Sequence, residues 1–426
     1  MEYKIYTPQE LKQQMQKARE AYTLPFERQE WMNHFTPEPD TFEVVISKKG
    51  EKVLIPCARD YPFLFRGQER EYKPCLPTIY RNNATDVEVF LNRMRFVVFK
   101  KLLDSHPVVN GFFNRHGFNI DYEGLAQHYG LSTEVLDFTD DLDIALFFAM
   151  CPYDKDQDRY TWMKEDGERQ AVIYIIRPSL DYVKFPKFEF TDKLNSIGLQ
   201  PFARPRLQRG FGVHVLHDEV FRPILVEISY TSKESYSYYL KFGKGEKLWI
   251  KDELCDKTLQ IAKKKHFSFN VFDETWNSFR PMGYSKTKLK SNLKNIGVAL
   301  SKDSTSSFFS DTEKREIIER WNGSVSKEMQ QKICRRVWRD NKVGNRYLDE
   351  HLFSLEKHVC QLEALRMITG AVTGDCPGHY VTYNESKNKK KYQTYGSEWQ
   401  KLPEIDRQPK SEPFLTDEDM KLNVDN

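Results

Sequence analysis

Paired cysteines are missing from this chain. Its seven cysteines lie singly, an odd number with no Cys-x-x-Cys spacing. Neither a disulfide scaffold nor a structural zinc site is therefore indicated, no metal is expected, and the setting expected is reducing and cytoplasmic. Long apolar runs are missing as well. No stretch approaches the length that spans a bilayer, and residues 1–20 carry no apolar core behind a basic start, so neither a membrane partner nor a secretory leader is expected. Charge of one sign is also lacking: 65 Lys and Arg against 62 Asp and Glu leave a formal +3. A nucleic-acid role would then need a local patch and not the surface as a whole.

What is present suffices for a packed interior. Hydrophobic residues make up 39% and aromatic residues 14% of 426, which supports one large domain or two to three ordinary ones. Composition divides the chain into four parts: an N-terminal helical segment (1–41), a central domain (42–235), a Lys-rich helical region (236–383), and a tail (384–426) with few aliphatic residues and the run Lys389-Lys390-Lys391. The tail is expected to be irregular.

Local signals place several elements. Residues 7–20 carry Leu11, Met15 and Ala18 on one stripe behind a Thr7/Glu10 capping pattern, which predicts a helix. Residues 42–47, 53–55 and 63–65 have the β-branched and aromatic content of strands. A helix with a broad apolar face is predicted over 85–105, capped by Thr85 or Asp86. Residues 171–176, AVIYII, suit a strand buried on both faces. Residues 213–216 and 224–229 suit two strands around a turn, whereas 195–212, with Gly, Pro and three Arg, suit an irregular ligand-lining loop. Helices are expected over 252–265, 311–321, 326–337 and 348–367, with a Ser/Lys-rich linker over 285–307.

The densest run of polar groups set among apolar ones is LAQHYGLSTEVLDFTDDLDIALFFAM, residues 125–150. A short helix over 122–129 stops at Gly130, putting His128 at a helix C-terminus, and a second helix starts at Asp140 or Asp141. The connector between them, 131–139, is apolar at Leu131, Val135, Leu136 and Phe138 and polar at Ser132, Thr133, Asp137 and Thr139. Polar side chains that follow such neighbours inside need hydrogen-bond partners, which suits a site. Upstream, Arg66-Gly67 ends a predicted strand, and Arg81 offers a second guanidinium. Such an Arg can fork onto a phosphate or carboxylate, or it can simply pair with a carboxylate of its own chain.

Three blocks in this order resemble the FRG domain: Phe65-Arg66-Gly67 with Pro77-Thr78-Ile79-Tyr80-Arg81; Leu125 through Leu131 leading to Leu136-Asp137-Phe138-Thr139 and Ala145-Leu146-Phe147-Phe148-Ala149; and Arg206-Leu207-Gln208-Arg209-Gly210-Phe211. The resemblance runs over residues 42–229. It implies an α+β fold, a mixed β-sheet flanked by helices, with the mainly helical C-terminal region outside it. A more distant likeness is to ADP-ribosyltransferases of the Arg-Ser-Glu type, through Arg66-Gly67, Asp137-Phe138-Thr139 and Ala145-x-x-Phe148-Ala149. Where that pattern has a late Glu, this chain has Gln208-Arg209-Gly210, and the nearest carboxylates are Glu219 and Glu227.

From these likenesses the expected ligand is nucleotide-like, with NAD as substrate and either ADP-ribosyl transfer to a protein or nucleic-acid acceptor or NAD hydrolysis as the reaction. Arg66 with Gly67 would hold the pyrophosphate, Thr139 the nicotinamide ribose, and Gln127, Asp137 and Gln208 would complete the binding set. Glu219 or Glu227 would face the developing sugar cation, and His128 would bind a ribose hydroxyl or take the acceptor's proton. The alternative is a non-catalytic module that recognises a ligand, a protein or a nucleic acid, in which Asp137 braces its connector and His128 and Thr139 are structural.

Overall fold

The computed structural model describes residues 5–21, 42–46, 52–56, 63–154, 157–176, 194–216, 221, 223–302, 307–339 and 418–422. Glu219, the helix expected over 348–367 and the Lys389 to Lys391 run lie outside the described residues.

Helix α1 (Pro8–Ala21) opens on the expected capping box: Glu10 accepts from Thr7 N at 2.8 Å, and Thr7 Oγ1 accepts from Glu10 N at 3.2 Å. Strands β1 (Phe42–Ile46), β2 (Lys52–Pro56) and β3 (Leu64–Gln68) follow. The capping box of Thr85 and Glu88 starts α2 (Asp86–Asp104), whose buried face runs from Val87 to Leu103. Next, α3 (Tyr122–His128) ends before Gly130, which takes φ +86°, the left-handed angle that glycine tolerates.

Residues 131–139 are more than a connector, since β4 (Val135–Thr139) occupies their second half. Val135, Leu136, Phe138 and Thr139 are all buried, so the polar alternation that suggested a loop belongs to a strand covered on both faces. Asp141 caps α4 (Leu142–Met150), accepting from Asp143 N at 2.8 Å. Strand β5 (Glu168–Ile176) contains the expected apolar run. Residues 195–212 are also ordered: β6 (Leu194–Ser196), α5 (Ala203–Leu207) and β7 (Gly210–His214) fill most of them. Strand β8 (Ile224–Thr231) leads into α6 (Ser232–Lys241), which is held by a Thr231/Glu234 capping box.

The central sheet has the order β8-β5-β3-β4-β7-β6, antiparallel at every pairing. Strands β7 and β8 therefore do not form the hairpin their spacing suggests, because each has a different partner and they sit towards opposite edges. Tyr6 adds a parallel bridge to β8 at Ile228. One face of the sheet buries Phe65, Ile173, Ile175 and Ile228 against α4 and α1; the other gathers Leu64, Leu136, Val172 and Tyr174.

The C-terminal helices are α7 (Glu253–Lys263), α8 (Phe269–Ser278), α9 (Lys286–Asn295), α10 (Asp311–Arg320) and α11 (Ser326–Lys332). Short strands β9 (His266–Ser268) and β10 (Ala299–Ser301) pair in parallel, so residues 285–307, expected as a linker, contain a helix and a strand. Leu289 and Leu293 on α9 are fully buried one helical turn apart. The helix expected over 326–337 ends at Lys332, and β11 (Ile333–Arg339) pairs in parallel with β1, whose other neighbour is antiparallel β2. The fold is thus α+β. Phe90, Met94 and Leu102 of α2 share one apolar cluster with Leu254, Phe272 and Trp321, so helices from the Lys-rich region complete the core begun by α2.

Candidate functional site

The site begins where the sheet splits. Strand β3 pairs with β5 at five positions but with β4 at one, Phe65 opposite Thr139. The next hydrogen-bonded pair in that register, two residues on, would set Gly67 opposite Asp137, and the ladder does not continue to it. A buried carbonyl without its ladder partner needs another donor. The Asp137 carbonyl finds it in Arg66 Nη1 at 2.9 Å, and the same nitrogen bonds Asp137 Oδ1 in an ion pair. Arg66 therefore takes the intramolecular option left open by the sequence, pairing with a carboxylate of its own chain.

Asp137 is held by a short relay from α3. Gln127 Nε2 donates to Asp137 Oδ1 at 3.0 Å, and Gln127 Oε1 accepts from Thr133 Oγ1 at 2.7 Å. Among the described residues, Asp137 Oδ2 accepts no hydrogen bond from another residue, and 36% of the side chain stays accessible. Burial pushes its carboxyl up, but the Arg66 guanidinium and His128 outweigh that and hold it down at about 2. It is a carboxylate at any ordinary pH.

His128 is buried at the end of α3, with Nδ1 2.9 Å from Gln208 Oε1. Gln208 Nε2 donates to the Leu248 carbonyl at 2.9 Å, so the amide turns its oxygen to the ring and Nδ1 carries the proton. Burial lowers the imidazole's affinity for a second proton, against the raising influence of Asp137 and Gln208. The helix end favours the imidazolium, but desolvation prevails. The bare Nε2 has no partner among the described residues and abuts Gly210, where an added β-carbon would lie 2.6 Å from it.

Thr139 is buried, and its Oγ1 accepts from Asp141 N at 3.2 Å. Gly67 permits a close approach, but of α4: a β-carbon there would overlap the Ala145 carbonyl oxygen and lie 2.9 Å from Ala149 N. Two of the small residues in the Ala145 to Ala149 motif thus let a helix lie directly on β3. Glu227 lies mid-strand on β8, opposite Val172, and is not part of the cavity lining.

Arg66, Gly67, Gln127, His128, Asp137, Thr139 and Gln208 nevertheless come together. They line a cavity of about 410 Å³, within the range of ligand pockets. Lining it with them are Phe148 of the Ala145 to Ala149 motif, Tyr153 and Tyr160, which are cross-strand partners in a short hairpin, and Trp249. Trp249 and Tyr129 sandwich the buried Arg204 guanidinium at 4.1 and 4.5 Å from their ring centroids. A further residue not foreseen is Arg209, which at φ +50° forks onto the buried carboxylate of Asp140, with Nη2 2.6 Å from Oδ2. It ties the β7 entry to the end of β4.

Among the described residues no helix is long and apolar enough to cross a membrane, and no group of three or more His, Cys, Asp or Glu could hold a metal ion. Residues 61–158 match the family model of the FRG domain. The match takes in β3, α2, α3, β4 and α4, hence Arg66, Gly67, Gln127, His128, Asp137 and Thr139, and stops before Gln208. No curated protein and no solved structure matches the chain.

Proposed function

We propose that this cavity binds a nucleotide-like ligand, with NAD as the candidate, and that Asp137 serves the glycosidic chemistry expected of a late carboxylate. The observation that carries the reading is Asp137 itself: an ionised carboxylate at the cavity wall, with one oxygen held by Arg66 and Gln127 and the other open. The same cavity is lined by Tyr153 and Trp249, with ring centroids 5.4 Å apart, which supply aromatic surface for a heterocycle. Gln127 and Thr139 supply polar groups beside them for ribose hydroxyls.

With NAD so placed, breaking the bond between ribose C1′ and the nicotinamide nitrogen sends the electron pair to the pyridinium ring. Nicotinamide leaves neutral, and positive charge develops on the sugar. Asp137 Oδ2 stabilises that charge. Water, or a hydroxyl or amine of a macromolecular acceptor, bonds to C1′ and releases its proton to bulk water. His128 acts in this scheme by holding Gln208, since its unprotonated nitrogen is buried against Gly210.

One observation favours the alternative, a non-catalytic recognition module: the Arg66 charge is already matched by Asp137, which leaves a neutral pair. In that case the Lys-rich α9, with Lys286, Lys288, Lys290 and Lys294, would be the face for a protein or nucleic-acid partner.

Calorimetry with NAD, combined with chromatographic detection of nicotinamide over long incubation, separates the two. The expected result is NAD binding that weakens about tenfold in Tyr153→Leu, and nicotinamide release that disappears in Asp137→Asn while binding persists. Binding without release leaves the recognition module. A folded wild type that gives no heat with NAD overturns the nucleotide reading.

A further inference from the structure

Arg66 and Arg81 converge on a single neutral oxygen. With its amide oxygen turned inward, Gln68 accepts from Arg66 Nη2 at 3.1 Å and from Arg81 Nη2 at 3.2 Å. Arg81 is half-buried; its Nε donates to the Leu76 carbonyl at 2.9 Å, and its guanidinium lies 4.8 Å from the Tyr72 ring centroid. The turn that carries it is fixed by Asn82 and Asn83, both at positive φ, a conformation asparagine tolerates.

Charge does not balance here. Among the described residues Asp137 is the carboxylate bonded to this guanidinium pair, and it bonds Arg66. Glu71 is taken by Lys73, and Glu69, although it lines the cavity, is exposed and neighbours the exposed Arg70. Two guanidiniums against one carboxylate leave a net positive charge in a partly desolvated place, which is costly unless an anion joins it. Burial and the neighbouring Arg66 both make Arg81 a weaker base. Two further polar atoms at the same end lack partners among the described residues: Arg66 Nε, on a side chain nine-tenths buried, and Thr78 Oγ1. Thr78, Gln68 and Tyr72 line the cavity, whereas Arg81 does not line it directly and meets it through Gln68.

We infer that the end of the cavity bounded by Gln68, Tyr72 and Thr78 is an anion subsite that takes a phosphate group of the ligand, with Arg81 as its second guanidinium. The Gln68 amide oxygen occupies the position a phosphate oxygen would take and swings aside when one arrives. Guanidinium forks match phosphate oxygens, and charge-assisted bonds are about twice as strong as those to a neutral amide, so the exchange is favourable. The ligand class rests on the nucleotide reading above; the preference for an anion rests on the charge count.

The test titrates AMP, adenosine, inorganic pyrophosphate and succinate into the full chain by calorimetry, at low and high salt, in wild type, Arg81→Gln, Arg81→Lys and Gln68→Ala. Wild type should bind AMP more tightly than adenosine, by about tenfold. Arg81→Gln should remove that ratio, Arg81→Lys should restore part of it, and Gln68→Ala should strengthen pyrophosphate binding. Melting temperatures show which variants fold, and the Arg81→Lys arm keeps the test open if Arg81→Gln does not. AMP and adenosine binding equally to wild type, with no pyrophosphate heat, overturns the subsite even if NAD binds. Succinate binding as well as pyrophosphate overturns the assignment to phosphate. Pyrophosphate binding that depends on Arg81, in a protein that ignores NAD, upholds the subsite and removes NAD as its ligand.

Discussion

Gly67 on β3 and Ala145 on α4 touch backbone to backbone: a β-carbon on Gly67 would overlap the Ala145 carbonyl oxygen and come within 2.7 Å of its carbon. Both obstructing atoms belong to a helix backbone and cannot rotate away. Gly67→Ala should therefore push α4 off the sheet and destabilise the fold by about 3 kcal/mol, the upper range for overpacking. Urea unfolding measures this, and a variant as stable as wild type would mean that α4 does not seat as described.

A buried ion pair behaves differently when one partner is removed than when both are. Asp137→Asn leaves the Arg66 guanidinium buried without its countercharge; the full penalty for such a loss is about 3–5 kcal/mol, and the 36% exposure of Asp137 reduces it to about 2 kcal/mol. Arg66→Met leaves a carboxylate that can still reach cavity water and should cost less through charge. The double variant Arg66→Met/Asp137→Asn should be more stable than the two single losses add up to. A cycle with no coupling would show that the pair is not formed in solution.

Acid should weaken the fold in two stages. The folded His128 titrates below its ordinary 6.5 because of burial, so the unfolded chain takes the proton first. Its contribution is complete above about pH 6.5 and declines as pH falls below it. Asp137 is also depressed, from 3.8 to about 2, burial being overcome by Arg66 and His128; its contribution is present above 3.8 and is lost as pH falls through about 2. Urea unfolding across this range should show His128→Asn flattening the first limb in part, since burial also lowers His116, and Asp137→Asn flattening the second in part. Glu253, held at about 2 by His106 and Arg320 despite burial, and Glu313, held at about 2 by Lys257 and the Ser310 N–H, contribute to the remainder. A wild-type profile parallel to that of Asp137→Asn below pH 4 would contradict the ion pair.

What could be foreseen from residue order was whatever depends on near neighbours. The Thr7/Glu10 box, the Thr85 cap, the Gly130 stop and the apolar run of β5 each act within a turn or a strand. Strand β4 was not legible as a strand, because Asp137 and Thr139 look like loop residues until Arg66, 71 positions away, supplies the partner for Asp137. The same holds for β7 and β8, whose separation of a few residues suggests a hairpin while their partners β4 and β5 draw them apart. Of the site, Arg66, Gln127, His128, Asp137, Thr139 and Gln208 came from the motifs. Tyr153, Tyr160 and Trp249 did not, since the hairpin that pairs Tyr153 with Tyr160 has no strong turn signal and Trp249 joins them only after folding.

The far C-terminal residues help to hold the core. Trp321 Nε1 donates to the Met420 carbonyl at 2.7 Å, while Asn322 exchanges bonds of 2.8 and 2.9 Å with the backbone of Leu422. Met420 and Leu422 are buried in the cluster that contains Phe112 and Trp321, and a β-carbon on Gly111 would lie 2.7 Å from a Leu422 methyl. Removing residues 418–426 would expose that surface and orphan a buried indole N–H. Losing two large apolar side chains costs about 1.5–3 kcal/mol each and the indole bond about 1 kcal/mol, so the deletion should cost at least about 4 kcal/mol and lower the melting temperature. Trp321→Phe, which keeps most of the packing and loses the bond, should account for about a quarter of the effect. Neither change touches a cavity residue, so ligand affinity measured below the transition should stay at the wild-type value. If the truncated chain melts with the full-length one, the association of 418–422 with Trp321 and Gly111 does not persist in solution.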